Sequence, residues 1–296
     1  MPTTPWPVEA VRAALGLDGP GALTPLAAGA YHEHVVLDDR WVLRRCTGSQ
    51  WGLAPREQLA REHATLEALA PTGLAPAPGP LVGDVLVEER VRGRPFHPAR
   101  DLPALGRALR DVHALAPAHL PALDARAALL EDARAWLARA PAGAARDLLR
   151  ELEARVAAAP SPPAPARLVH TDLNAGNLLV DAEGRVRLLD WEAARRADPA
   201  WDLAHAVSPT TTLWDPATAC EPDARQVEAF LRAYGDDAIA GRVGALLDAV
   251  VLRALAWCLG FDGAAPGTAL HDALSRYRDP AFVERRLGDP ARLGLR

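Results

Sequence analysis

The sequence predicts an α+β chain in two parts: a small N-terminal one with an antiparallel sheet and one helix, and a larger, mainly helical C-terminal one. Three observations carry this. Short apolar runs split by Gly, Asp and Pro fill about the first 90 residues, and they have the length of strands. Beyond Gly93 apolar residues recur at helical spacing. Between residues 168 and 192 short strands return around a group of polar side chains.

Taken in order, Val8, Val11 and Leu15 recur at helical spacing in a stretch from Val8 to Leu17. Glu33 to Leu37 and Arg40 to Arg44 are strand candidates, and Asp38-Asp39 between them suits a tight hairpin. Pro55 opens a helix that runs to Leu69 with Glu62 inside it, since Pro at the first helical position costs no hydrogen bond. A Pro/Gly-rich break follows from Pro71 to Pro80. Leu81-Val82 and Val85-Leu86-Val87 then flank Gly83-Asp84 as a second hairpin.

In the second part, Leu102, Leu105, Leu109 and Val112 mark a helix, and further Ala/Leu/Arg helices fill roughly residues 124 to 158. After a Pro-rich run from Pro160 to Pro165 come two short strands, Asn177 to Val180 and Val186 to Leu189, with a turn over residues 181 to 184. Helices return near 222–234, 237–260 and 267–277.

Composition narrows the function classes. A net charge of -5 and scattered arginines give no basic footprint, so no nucleic-acid partner is expected. The same balance suits a cationic or neutral substrate. Cys46, Cys220 and Cys258 form no CxxC pair, which points away from a zinc knuckle or a disulfide framework and toward ordinary buried thiols. The start lacks a signal-peptide layout and no uninterrupted apolar run reaches a bilayer span, so a soluble, cytoplasmic protein with no membrane partner is expected. All 33 basic residues are arginine, because the sequence has no lysine. An Arg at a place suited to Lys is therefore weak evidence of lost function.

The chemistry concentrates in Leu168-Val-His-Thr-Asp-Leu-Asn-Ala-Gly-Asn-Leu-Leu-Val180 and in Leu188-Leu-Asp-Trp-Glu192. Phosphoryl transfer needs a carboxylate for the acceptor hydroxyl and oxygen ligands for Mg²⁺ on the phosphates. Asp172, Asn177 and Asp190 supply that set. His32-x-His34 lacks a nearby third ligand in sequence and is read as polar surface or core, and His113, on a leucine-rich face, as a hydrogen-bonded structural residue.

His170-x-Asp172-x4-Asn177 followed by Asp190 resembles the catalytic and metal-binding loops of the aminoglycoside phosphotransferase and choline kinase family, relatives of protein kinases. Ala197-Asp-Pro-Ala-Trp-Asp-Leu-Ala204 resembles the stretch that follows those loops. Arg61 to Leu69 resembles the family's N-lobe helix, and Val87-Glu-Glu-Arg-Val-Arg-Gly-Arg-Pro95 its interlobe hinge. Together the matches cover about residues 26 to 205.

The resemblance implies a protein-kinase-like two-lobed fold, with residues 1–92 a nucleotide-binding lobe ending in a hinge at about 88–93. Residues 93–296 would be the helical lobe carrying the catalytic and metal loops and the acceptor site. It implies Asp172 as catalytic base, Asn177 and Asp190 as ligands of Mg²⁺, His170 as a scaffold of the loop and Asp202 as its brace. Arg44 would stand for the phosphate-contacting strand lysine, Glu62 for its ion-pair partner, and the backbone of Glu89 to Val91 would hold the base of ATP or GTP. Leu26 to His34 would cover the phosphates.

Departures from the family pattern are Thr171 for the usual Gly or Arg, Trp191-Glu192 for Phe-Gly, a phosphate loop with one glycine, and Arg44 itself. The second argues against a protein kinase. The leading expectation is a phosphotransferase acting on a small hydroxylated molecule, with aminoglycoside, other antibiotic, amino alcohol and sugar acceptors all compatible. The alternative is a nucleotide-binding pseudokinase with a regulatory or scaffold role. Oligomeric state is not readable from the sequence.

Overall fold

A computed structural model describes residues 5–26, 31–49, 52–160, 163–264, 266–287 and 293–295. Part of the expected phosphate-covering stretch, residues 27–30, lies outside them. The chain divides into two compact units, Met1–Arg92 with Arg187–Ala194, and Gly93–Val186 with Arg195–Arg296.

The first unit opens with helix α1 (Val8–Leu15) and continues through β1 (Leu23–Pro25), β2 (His32–Leu37), β3 (Trp41–Cys46), α2 (Pro55–Leu69), β4 (Pro78–Val82) and β5 (Val85–Glu89). The strands form one antiparallel sheet in the order β1-β2-β3-β5-β4. Asp38 and Asp39 adopt φ of 52° and 55°, and Arg40 N–H closes the β2–β3 turn on Leu37 O. This is the positive-φ hairpin geometry that short Asp side chains tolerate. The expected Pro/Gly break is shorter than its composition suggests. β4 begins at Pro78, which is possible because β4 is an edge strand and its register is irregular between Pro78 and Leu81.

Val11, Leu37, Leu43, Val85 and Val87 form a core between sheet and α1, each contributing roughly 2 kcal/mol by leaving water. The distant segment 187–194 is fastened here by polar bonds. Leu188 N–H donates to Leu74 O, Arg187 to Ala75 O, Gln58 to Glu192 O and Arg61 to Ala194 O, all within 2.7–2.9 Å.

The second unit runs β6 (Arg94–Pro95), α3 (Pro98–His113), α4 (Ala125–Arg139), α5 (Ala144–Ala158), β7 (Arg167–Val169), β8 (Leu178–Val180), β9 (Val186–Leu188, crossing into the 187–194 segment) and β10 (Arg195–Ala197). It ends with α6 (Ala200–Ala206), α7 (Pro209–Thr212), α8 (Ala224–Tyr234), α9 (Asp237–Ala240), α10 (Val243–Gly260), α11 (Ala269–Tyr277) and α12 (Pro280–Arg286). The single helix expected over 237–260 is two, α9 and α10, with Asp236 capping the first. α3 and α8 pack so closely at Gly106 that a Cβ there would lie 2.6 Å from Phe230 O.

α10 is the spine of this unit, packed by α4, α5 and α6. By length and composition it is apolar enough to cross a membrane, yet most of it is buried inside the fold. Its buried Arg253 pairs with Asp132 at 2.7 Å. Cys46 and Cys258 are buried thiols as expected, whereas Cys220 is half-buried. β7 and β10 pair antiparallel. β7 thereby delivers His170 and β10 leads to Asp202.

Candidate active site

In the first unit, strand register decides which side chains meet. Arg44 on β3 lies opposite His34 on β2 and Leu86 on β5, and its side chain is only 3% exposed. A buried guanidinium needs acceptors. Arg44 Nη1 lies 2.9 Å from Glu62 Oε1 on α2 and 3.8 Å from Glu88 Oε1 on β5, and its Nη2 donates to Asp190 Oδ1 at 2.5 Å. Glu57, also on α2, is exposed. His32 Nδ1 lies 3.4 Å from Arg44 Nη2 and 3.1 Å from Glu192 Oε2.

These neighbours set the charges. Burial pushes Glu62 up to about 7 against the opposing pull of Arg44 and His32. Burial also raises Glu88, and it lowers His32 with help from Arg44, leaving a neutral imidazole. Asp190 goes the other way. Burial opposes its ionisation, but the Arg44 guanidinium prevails and holds the carboxyl at about 2. Arg44 itself is held above its ordinary value because Glu62, Asp190 and Glu88 outweigh desolvation. Asp190 has φ 63°, a conformation Asp tolerates better than most residues. One of its carboxylate oxygens, a ring nitrogen of His32 and a carboxylate oxygen of Glu192 lie within 4.8 Å of one another, a mixed N/O donor group of which His34 is no part.

In the second unit, the loop after β7 is shaped by Asp202 on α6. Its carboxylate accepts from His170 N–H at 2.7 Å and from Thr171 N–H at 2.8 Å. Thr171 has φ 68°, a strained state for a β-branched residue, so the loop is held in place by its partners. Asp202 also accepts from His113 Nε2 at 3.1 Å, and the Tyr234 hydroxyl donates to His113 Nδ1 at 3.1 Å. Burial opposes the Asp202 charge, but these donors hold its carboxyl below the usual range.

That brace presents Asp172. Asn177 Nδ2 donates to the Asp172 backbone oxygen at 3.0 Å and to its Oδ2 at 3.1 Å, and Asn174 Nδ2 reaches the same carboxylate at 3.3 Å. Asn174 also caps the short turn Ala175–Asn177. With its NH₂ committed, Asn177 has a carbonyl oxygen that meets no donor among the described residues. An amide oxygen fixed this way suits a hard cation such as Mg²⁺. His205 is fully buried, and burial drives it down to about 4 despite the Asp172 charge.

Glu89 and Val91 lie at the end of β5. With Asp38, Asp39, Arg40 and Arg92 they line a cavity of about 470 Å³. Glu89 N–H is committed to Ala77 O and Arg90 N–H to Arg40 O, leaving Val91 N–H as the one in this segment without a backbone acceptor among the described residues. The structure thus brings Arg44, Glu62 and Asp190 into one cluster and Asp172 and Asn177 into one hydrogen-bonded pair. Glu89 and Val91 hydrogen-bond to neither.

Glu88, Asn174 and His205 are not singled out in the sequence, and Glu192 stands out there only as a departure from the family pattern. All of Val85 to Glu88 is buried, so strand alternation does not separate Glu88 from its neighbours. Only the β3–β5 register could have placed it beside Arg44.

The sequence profile of the phosphotransferase enzyme family matches residues 22–246. No curated protein sequence matches the chain. Among solved structures, a choline/ethanolamine kinase family protein from Mesorhizobium loti superposes with a TM-score of 0.64 at 21% identity over 96% of this chain and 94% of its own. Macrolide 2'-phosphotransferase MphH from Brachybacterium faecium gives 0.62 at 23% identity over 91% and 97%. The GDP complex of wild-type aminoglycoside 2'-phosphotransferase-IIIa gives 0.62 at 13% over 95% and 97%. At such identities the likeness is one of fold, the α+β, protein-kinase-like fold the sequence predicts. Because the profile takes in most of the chain, the family follows from sequence as well, and the chain belongs to the phosphotransferase enzyme family.

Proposed function

We propose that the protein transfers the γ-phosphoryl group of ATP or GTP to a hydroxyl of a small molecule in the cytoplasm, with no part for nucleic acid or membrane. The observation that carries this is the pair Asp172 and Asn177: a carboxylate with one oxygen committed to amide donors, beside an amide oxygen left to accept a cation. Residues 1–92 serve as the nucleotide lobe and residues 93–296 as the acceptor lobe.

In this reading Asp172 takes the proton from the acceptor hydroxyl as its oxygen bonds to the γ-phosphorus and the bond to the β,γ-bridging oxygen breaks. Asn177 and Asp190 hold Mg²⁺. The metal, when bound, neutralises charge on the phosphates. Arg44 contacts phosphate, Glu62 keeps Arg44 extended, and the backbone of Glu89 to Val91 faces the base, with Val91 N–H available as donor.

The relatives whose structures contain GDP, kanamycin or streptomycin with ATP support a nucleotide donor and a small hydroxylated acceptor. The test is acceptor-dependent nucleoside diphosphate release across aminoglycosides, macrolides, amino alcohols and sugars, with Mg²⁺ and each nucleotide. Release by the wild type and not by Asp190→Ala supports the reading.

One observation favours a second reading, a nucleotide-binding pseudokinase: Arg44 Nη2 takes Oδ1 of the Asp190 carboxylate that the proposed reaction uses for metal. That reading gives a nucleotide-dependent rise in melting temperature with no transfer to any acceptor.

A further inference from the structure

Arg44 is met by more acid than one cation requires. Glu62 Oε1 forms an ion pair with Nη1 at 2.9 Å and Asp190 Oδ1 accepts from Nη2, so both terminal nitrogens already face a carboxylate. Glu88 adds a third, 3.8 Å from Nη1, from a different element. It sits on β5 opposite Val42 and is 7% exposed, and its Oε2, like both Glu62 oxygens, has no hydrogen-bond partner among the described residues. A buried carboxylate with an unused oxygen weakens the folded state. The hydrogen bonding of the first unit does not account for its presence.

The shape of the cation does. A lysine ammonium is a compact point donor that one carboxylate can fix. A guanidinium is a rigid plane, and a plane held at one nitrogen pivots about that contact. In this structure Asp190 supplies the second hold. In the proposed reaction Asp190 turns to the metal and Arg44 to phosphate, so that hold is released. What remains is a long contact of Nη2 with the His32 ring at 3.4 Å, and Nη1 between Glu62 on α2 and Glu88 on β5, two acids approaching from separate elements.

We infer that Glu88 is a positioning residue that keeps the Arg44 guanidinium aimed once Asp190 lets go, so that Arg44 and Glu88 work as a matched pair in place of a single lysine. The inference rests on the reading of Arg44 as the phosphate contact.

The test is a four-member cycle of the full chain: wild type, Glu88→Met, Arg44→Lys and the double variant. Each is titrated calorimetrically with ATP and with GTP in the presence of Mg²⁺, and each is melted. Met matches Glu in length without charge, so Glu88→Met should keep or raise the melting temperature while weakening nucleotide binding about tenfold. Arg44→Lys should weaken binding by about tenfold or more. The double variant should bind more tightly than Arg44→Lys alone, because the lysine no longer faces a carboxylate it cannot reach. Strictly additive losses overturn the matched pair. A Glu88→Met variant with unchanged affinity, or one that loses melting temperature and affinity together, overturns the positioning role. Unchanged affinity in Arg44→Lys, or no nucleotide binding by the wild type, instead overturns the reading on which the inference rests.

Discussion

The side-chain amide of Asn177 donates to two oxygens of Asp172, the backbone oxygen at 3.0 Å and Oδ2 at 3.1 Å. One side chain thus orients the carboxylate and exposes its own carbonyl oxygen. If Asp172 is the base, Asp172→Ala should lower turnover by about 10²–10⁴-fold, the usual worth of a positioned general base. Nucleotide affinity should stay within about twofold, because Arg44 and Asp190 are untouched. Steady-state kinetics beside calorimetry decides it, and turnover near the wild-type level would remove Asp172 from the mechanism.

The Asp202 carboxylate holds two backbone N–H groups and His113. Asp202→Ala removes the carboxylate that these three donors share. The expected cost is roughly 3 kcal/mol or more, since a buried donor that loses its acceptor is expensive. Urea denaturation measures it, and a loss below about 1 kcal/mol would mean the loop finds other partners.

His205 gives a pH signature. Its folded value, about 4, is below its ordinary 6.5 because burial disfavours the cation. The neutral ring is the form that fits, so its contribution is fully present above pH 6.5 and is lost as pH falls toward 4. His205→Gln, which can still meet the Thr211 hydroxyl, should therefore lose less melting temperature than the wild type over that interval. Parallel melting curves for the two proteins would contradict the assignment.

Gly106 faces α8 with no room for a methyl group, since a Cβ would meet Phe230 O at 2.6 Å and Tyr234 N at 3.2 Å. Both are backbone atoms, so the helices must part. Gly106→Ala is expected to destabilise by about 1–3 kcal/mol despite the better helix propensity of Ala. Thermal unfolding checks the sign, and stabilisation would show that α3 and α8 can separate freely.

Local chemistry made much of the fold legible. Pro55 and Leu69 bound α2 as expected, and the two aspartates at 38 and 39 form the turn their side chains permit. The polar loop was readable because Asp172 and Asn177 are close in sequence and bond directly. β7 and β10, three residues each, are too short for alternation to register. The link from Tyr234 through His113 to Asp202 joins residues far apart in the chain, so no spacing rule signals it. The Glu88 environment is of the same kind, created by strand register and α2 packing together.

The return of residues 187–194 to the first unit makes that unit discontinuous in the gene. A fragment ending at Arg92 would lack the strip that satisfies Gln58, Arg61 and the carbonyls of Leu74 and Ala75, and it would lose the carboxylate that meets Arg44 at Nη2. Neither half is therefore a cassette that recombination could trade between relatives with one crossover. Inheritance of the N-terminal unit is tied to a short stretch encoded beyond residue 186, and the two must diversify together.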